Sequence, residues 1–181
     1  MGKSTIYSIG HGNKQFDELV SELKRYRIEF LLDVRSSPMS KFNFHFNRAW
    51  LEKDLPDNNI TYEFLGEYLG GLPKDRSCYT NGKVDYAKIR TKKFFKDGID
   101  LLIEANEEKM RIALMCSESK PEECHRCKLI GQELMNHDIS VQHITADGLK
   151  SQEEVIEILT QGFGVNDLFG ENDFTSRNTY L

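Results

Sequence analysis

The sequence predicts an α/β fold: a single three-layer domain, with a mainly parallel sheet of about five strands and helices on both faces. Three observations carry this. Short β-like runs alternate with amphipathic segments along the chain, the order that βαβ units impose. A length of 181 residues suits one domain able to close a real core. The composition, 39% hydrophobic and 29% charged, is that of a globular chain. No apolar run approaches the ~18 residues of a membrane span.

The elements follow in order. "TIYSIG" (5–10) reads as the first strand. It leads into "FDELVSELKRY", where Phe16, Leu19, Val20 and Leu23 recur at helical spacing, with Asn13 as the expected N-cap. "EFLLDV" (29–34) is the second strand, closed by Arg35, two serines and Pro38. "RAWLEKDL" reads as a short helix with Trp50, Leu51 and Leu55 inward. "ITYEFL" (60–65) alternates as a strand and is broken by "GEYLGGLP".

A helical stretch is expected from Tyr86 to Glu107, with Phe95, Ile99 and Leu102 on one face and Gly98 weakening its middle. "RIALMC" (111–116) is the fourth strand. Pro121 is placed to open a helix that buries Leu129, Ile130 and Leu134. "ISVQHI" (139–144) is the fifth strand, and Ser151 with Glu154 forms the capping-box pattern of a last helix. Segment 66–85 is the least regular, as lids and binding loops are. The reading is therefore 1–160 as the α/β domain and 161–181 as a polar tail, or an arm docking a second copy of the chain.

Net charge is −5, which argues against bulk attraction to nucleic acid or anionic lipid. The charge is uneven. Arg35 to Lys96 holds 12 basic and 7 acidic residues, a local +5, leaving −10 for the remainder. A basic middle suits a small anionic ligand or a nucleic acid docked at one place. "RSSPMSKFNFHFN" interleaves Arg35, Lys41 and His45 with Phe42 and Phe44, as stacking surfaces do. The N-terminal stretch lacks a signal core, so a reducing, cytoplasmic setting is expected, in which four cysteines are free, catalytic or metal-bound.

Right-handed crossovers bring the carboxyl ends of parallel strands to one edge, where ligands bind. "HGN", "RSSPMSKFN", "GEYLGG" and "CSES" follow the first four strands. Cys116 ends a strand before a loop and helix start, a place suited to an anion nest, with Arg126 able to fold back as a clamp. A helix end alone supplies about 0.3–1 kcal/mol, less than one pKa unit of a thiol. Arg126, His125 or His11 must therefore help to make a thiolate.

His11 lies between two glycines, and Asp33 and Arg35 share a strand face. Cys124 and Cys127, with Cys116 and a histidine, are the alternative Cys₃His zinc set. No known zinc spacing matches theirs, and no metal or cofactor is assigned.

"TIYSIGHGNKQFDELVSEL", "LLDVRSSPMSKFN", "YEFLGEYLGGL" and "ALMCSESKPEECHR" occur in this order. Together they resemble the domain of unknown function 488 family, from about Thr5 to His143. The resemblance implies a cytoplasmic α/β domain. It carries the family signature onto Gly10, His11, Asn13, Asp33, Arg35, Gly70, Gly71, Cys116, Glu118, Cys124, His125 and Arg126.

"LLDVRS" followed by "ALMC…HRC" is also loosely similar to rhodanese-like and cysteine-phosphatase domains. The nine residues from Ser117 to His125 make a longer loop than theirs, and it lacks their glycine.

The functional expectation is a cysteine-centred enzyme, a hydrolase or transferase, acting on an anionic substrate: phosphate-bearing, nucleotide or nucleic acid. Cys116, His11 and His125 are the catalytic candidates. Asn13, Asp33, Arg35, Gly70, Gly71, Glu118, Cys124 and Arg126 are the substrate-binding ones. The alternative is a non-catalytic module that binds nucleotide or nucleic acid. No membrane partner is expected.

Overall fold

A six-stranded sheet runs through the molecule in the order β3-β2-β6-β1-β7-β8. Its strands are β1 (Ile6–Gly10), β2 (Phe30–Asp33), β3 (Thr61–Phe64), β6 (Ile112–Cys116), β7 (Gln142–Thr145) and β8 (Gly148–Ser151). Between β3 and β6, a two-stranded hairpin pairs β4 (Tyr79–Thr80) with β5 (Lys83–Val84). The structure is a computed structural model and describes residues 4–161, 166–167, 170–171, 174 and 176. Five sheet strands are parallel, and β8 turns back antiparallel to β7 at the edge. The sheet thus has one strand more than the sequence led us to expect. Gly148, at φ +109°, supplies the turn into β8.

Strand periodicity divides the side chains between two faces. Ile6, Ile112, Leu114 and Leu32 face a core built with Leu69, Ile89, Phe95, Ile99, Leu102, Leu129 and Leu134. These last come from α3 (Gly66–Leu69), α4 (Tyr86–Arg90), α5 (Lys93–Glu107), a π-helical segment (Arg126–Gly131) and α6 (Gln132–Met135). Tyr7, Ile9, Leu31, Ala113 and Met115 face the opposite core, with α1 (Phe16–Arg25) and α2 (Arg48–Asp54). The three layers follow directly from that alternation. No helix among the described residues is long and apolar enough to cross a membrane.

Several local expectations are corrected. Gln15, not Asn13, caps α1, because its side chain and Glu18 exchange the two bonds of a capping box. Trp50 is 45% exposed, while Leu51 and Leu55 carry the burial of α2. "GEYL" is the short helix α3 rather than a simple break. The stretch 86–107 is two helices, separated at Thr91 and Lys92. Gly98 lies where α5 meets Leu69 and Tyr68 of α3. The fifth strand starts at Gln142, later than expected.

Ser151 and Glu154 do form the capping box of α7 (Gln152–Leu159). Of the tail, Phe174 packs against the core and Ser176 is buried. The docking-arm expectation otherwise falls outside the described residues.

Candidate functional site

The sheet brings β1 and β6 side by side in parallel, with Gly10 opposite Cys116. The pairing runs past both strand ends: the N–H of His11 donates to the Cys116 carbonyl at 2.9 Å, and that of Gly12 to Ser117 at 3.0 Å. Two loops distant in sequence are thereby held against each other. Gly10 is required for this, since a Cβ there would lie 1.9 Å from the Glu118 carbonyl oxygen.

The two sheet faces contribute different chemistry to the rim. From the α1–α2 side come His11, Asp33 and Arg35. Arg35 Nε and Nη2 donate to the two oxygens of Asp33 at 2.9 and 2.6 Å, a bidentate pair. Nη2 also reaches the Phe46 carbonyl, and Tyr62 donates its hydroxyl to Asp33 at 2.7 Å. Asp33 is fully buried and orients Arg35.

Arg35 Nη1 lies 3.3 Å from His11 Nε2, and His11 Nδ1 lies 2.9 Å from the Gly12 carbonyl. A carbonyl can only accept, so the proton sits on Nδ1 and Nε2 receives the guanidinium. Burial lowers the His11 pKa to about 4, leaving a neutral ring stacked on Phe46 at 4.5 Å.

From the other face come Cys116, Glu118, Cys124 and His125. Cys116 Sγ is 2.8 Å from Glu118 Oε2 and 3.8 Å from His125 Nδ1. Cys124 Sγ is 3.3 Å from the same carboxylate oxygen and 3.6 Å from the same nitrogen. Consecutive residues reach one point because the backbone changes at this step, from extended at Cys124 (ψ 150°) to helical at His125 (ψ −18°).

His125 Nε2 donates to the Val34 carbonyl at 3.0 Å, which aims Nδ1 at the sulfurs. Gly71 lies over the ring, where a Cβ would come within 2.9 Å of Cγ. The surroundings push the two thiols in opposite directions. Burial opposes ionisation of Cys124, but the Cys116 thiol, Arg126 and His125 outweigh it and hold its pKa well below the usual thiol range. The bond to Cys124, burial and Glu118 push Cys116 well above that range. Burial also opposes charge on His125, yet Cys124 and Glu118 prevail and raise its pKa.

Arg126 departs from the expected clamp. Its side chain is fully buried and does not line the cavity. It donates to Cys124 Sγ at 3.2 Å, Ser8 Oγ at 3.1 Å and the Glu118 carbonyl at 2.6 Å. Pro121 opens only a 3₁₀ turn, so the loop is held by this guanidinium and not by a helix start directly behind it.

From Ser8 the bonds continue to His143 (2.6 Å), to Gln152 (2.7 Å) and to the Cys127 carbonyl (3.0 Å). Each link donates onward and satisfies the next buried acceptor. The Gln152 amide, bonded to the Cys127 carbonyl, accompanies the π-helical winding of Arg126–Gly131. Cys127 itself is packed beside Val155 and Ile156, and burial pushes its thiol to about 12.

A cavity of about 380 Å³ opens over this rim, lined by His11, Arg35, Cys116, Glu118, Cys124 and His125, with Gly71, Lys128 and several serines around them. Of the remaining expected residues, Gly70 sits behind the wall against Ser36, and Asn13 is exposed on the turn before α1, outside the lining.

Sequence reasoning did not find Ser8, His143 or Gln152, whose roles depend on partners up to 135 residues away. It also missed the lining residues Ser36, Ser37, Ser40 and Asn43 as donors, although the polar run after β2 was a signal for them.

The cavity mouth adjoins an exposed aromatic patch. Met39 lines the cavity, Phe42 is 91% exposed, and Phe44 and Trp50 meet edge to face at 6.2 Å with Lys53 over the indole.

Comparison with protein families matches residues 15–131, more than half of the chain, to the model described as "Domain of unknown function DUF488". The matched stretch contains Asp33, Arg35, Gly71, Cys116, Glu118, Cys124, His125 and Arg126. His11 and Asn13 lie before it. No curated protein and no solved structure matches.

Proposed function

The chain belongs to the DUF488 family, and we propose from its site that it is a cysteine-centred enzyme acting on an anionic, phosphate-bearing substrate of nucleotide size. One observation supports this reading above others: a thiol, a carboxylate, two imidazoles and a guanidinium border one cavity at the carboxyl ends of parallel strands.

Cys116 is the nucleophile. Its proton passes to Glu118, 2.8 Å away. The sulfur forms a bond to phosphorus as the phosphorus–oxygen bond to the leaving group breaks, and the departing oxygen takes the proton from Glu118. Water, or an acceptor hydroxyl, then displaces the phosphoryl group from sulfur and returns a proton to it. Arg35, the serine hydroxyls and Lys128 bind the phosphate oxygens. Neutral His11 positions Arg35, and His125 orients the sulfur.

The exposed patch of Phe42, Phe44 and Trp50 beside the mouth favours a nucleic-acid strand or nucleotide over a simple phosphate ester, because bases stack on such rings.

The test is a panel of nucleotides and aryl phosphates assayed with wild type and Cys116→Ser. Turnover is expected to vanish in the variant while its unfolding midpoint stays close to wild type. Turnover retained by Cys116→Ser removes the reading. So does full turnover in a folded Glu118→Gln variant, which lacks the carboxylate that takes the Cys116 proton.

A further inference from the structure

We infer that Cys116, Cys124 and His125 form a binding site for a divalent transition metal, zinc above others, with Glu118 as a displaceable fourth ligand facing the cavity.

The geometry is that of a coordination shell. Zinc–sulfur bonds of about 2.3 Å and zinc–nitrogen bonds of about 2.0–2.1 Å place neighbouring donors of a tetrahedron roughly 3.5–3.8 Å apart. The two sulfurs lie 3.8 and 3.6 Å from His125 Nδ1, and the three donor atoms all fall within 4.8 Å of one another. Glu118 Oε2 lies 2.8 and 3.3 Å from the two sulfurs but outside the group of donors within 4.8 Å of one another, so it joins the shell only by turning toward the ion.

The surroundings are also those of a metal site. A ligating histidine almost always donates its other ring N–H to a carbonyl or carboxylate, and His125 Nε2 donates to the Val34 carbonyl. Arg126 Nε donates to Cys124 Sγ, the bond that a metal thiolate receives. Charge closes as well: two thiolates, one carboxylate and a divalent ion sum to −1, which the fully buried Arg126 offsets. The ligand set is not the Cys₃His set considered from spacing, since Cys127 faces Val155 and Ile156.

Softness of the donors favours zinc over magnesium or calcium, which take oxygen. All four residues line the cavity, so a ligand entering from it can take the place of Glu118, the open position that catalytic zinc keeps.

The site uses side chains of the sulfur nucleophile but does not depend on that reaction. The test strips reduced, full-length protein with a chelator and titrates cobalt(II), then zinc as competitor. One cobalt per chain is expected, with the thiolate-to-cobalt charge-transfer band and the visible bands of a tetrahedral ion, displaced stoichiometrically by zinc. Cys116→Ser, Cys124→Ser and His125→Gln should each weaken binding by more than the ~10–100-fold typical of losing an outer partner. Cys78→Ala should leave it unchanged. Glu118→Gln should keep the charge-transfer band and shift the visible ones.

Should a ligand variant fail to fold, alkylation of wild type serves instead: zinc is expected to protect Cys116 and Cys124 and not Cys78. Absence of stoichiometric uptake by wild type, an octahedral spectrum without the thiolate band, or unprotected cysteines overturns the site. Turnover separates the two readings. Activity lost on stripping and restored by zinc keeps the metal and removes the free nucleophile. Activity untouched by stripping, in protein that takes up no metal, does the reverse.

Discussion

His143 is fully buried between Ser8 and Gln152, and burial lowers its pKa from 6.5 to about 4. The unfolded chain therefore binds a proton that the folded chain refuses. Stability is full above pH 6.5 and falls as pH drops toward 4. His11, lowered to about 4 by its own burial, adds to the same loss. We expect the urea midpoint to fall between pH 6.5 and 4, and to fall less steeply in His143→Gln. An equal slope in wild type and variant would show that this ring does not carry the linkage. The same residue links β7 to the buried chain that ends on Cys127, so what looks like an isolated core histidine in "SVQHIT" joins two elements behind the site.

At the scale of elements, α7 holds the far end of that chain. Its first residue, Gln152, supplies the amide that bonds the π-helical segment, and Ser151 sets where α7 begins by accepting from the Glu154 N–H. Ser151→Ala should cost about 0.5–2 kcal/mol in denaturant unfolding, the usual loss of an N-cap. It should also move Gln152 enough to alter hydrogen exchange across Arg126–Gly131. Destabilisation without that second effect would confine Ser151 to its own helix. Legibility was uneven here. The Ser151–Glu154 box is local and was readable; the π-helical winding was not, because its partner lies 25 residues further along the chain.

For the whole molecule, the exposed rings Phe42 and Phe44 flank Asn43 in the chain, which lines the cavity together with Met39 and Ser40. Phe42 is 91% exposed, so Phe42→Ala should leave the unfolding midpoint within experimental scatter. If a strand stacks there, the substitution should weaken binding of a short single-stranded DNA by about 1–3 kcal/mol. Binding should also weaken as salt rises, since phosphate contacts release counterions. Unchanged affinity in Phe42→Ala and Phe44→Ala would sever the patch from the substrate. The rings of the "SKFNFHFN" run divide in a way no periodicity announces: Phe46 goes into the core under His11 and Arg35, while Phe42 and Phe44 stay in solvent.

By itself the sequence determined the layer order, most of the strands and most of the core-facing residues, because alternation at period two and recurrence at 3.6 are local consequences of backbone geometry. It also determined that His11, Arg35 and Cys116 would meet, since parallel strands send their carboxyl ends to one edge. Tertiary structure alone decided which way the charged groups turned. Arg126 went beneath the loop and not into the cavity, because a buried guanidinium is retained only where its donors find acceptors, and Ser8, Cys124 and the Glu118 carbonyl are there. It likewise decided that Cys124 and His125, neighbours that an extended strand would point apart, converge on one point with Cys116. Such convergence depends on a dihedral change and a distant carbonyl, and neither leaves a mark in residue order.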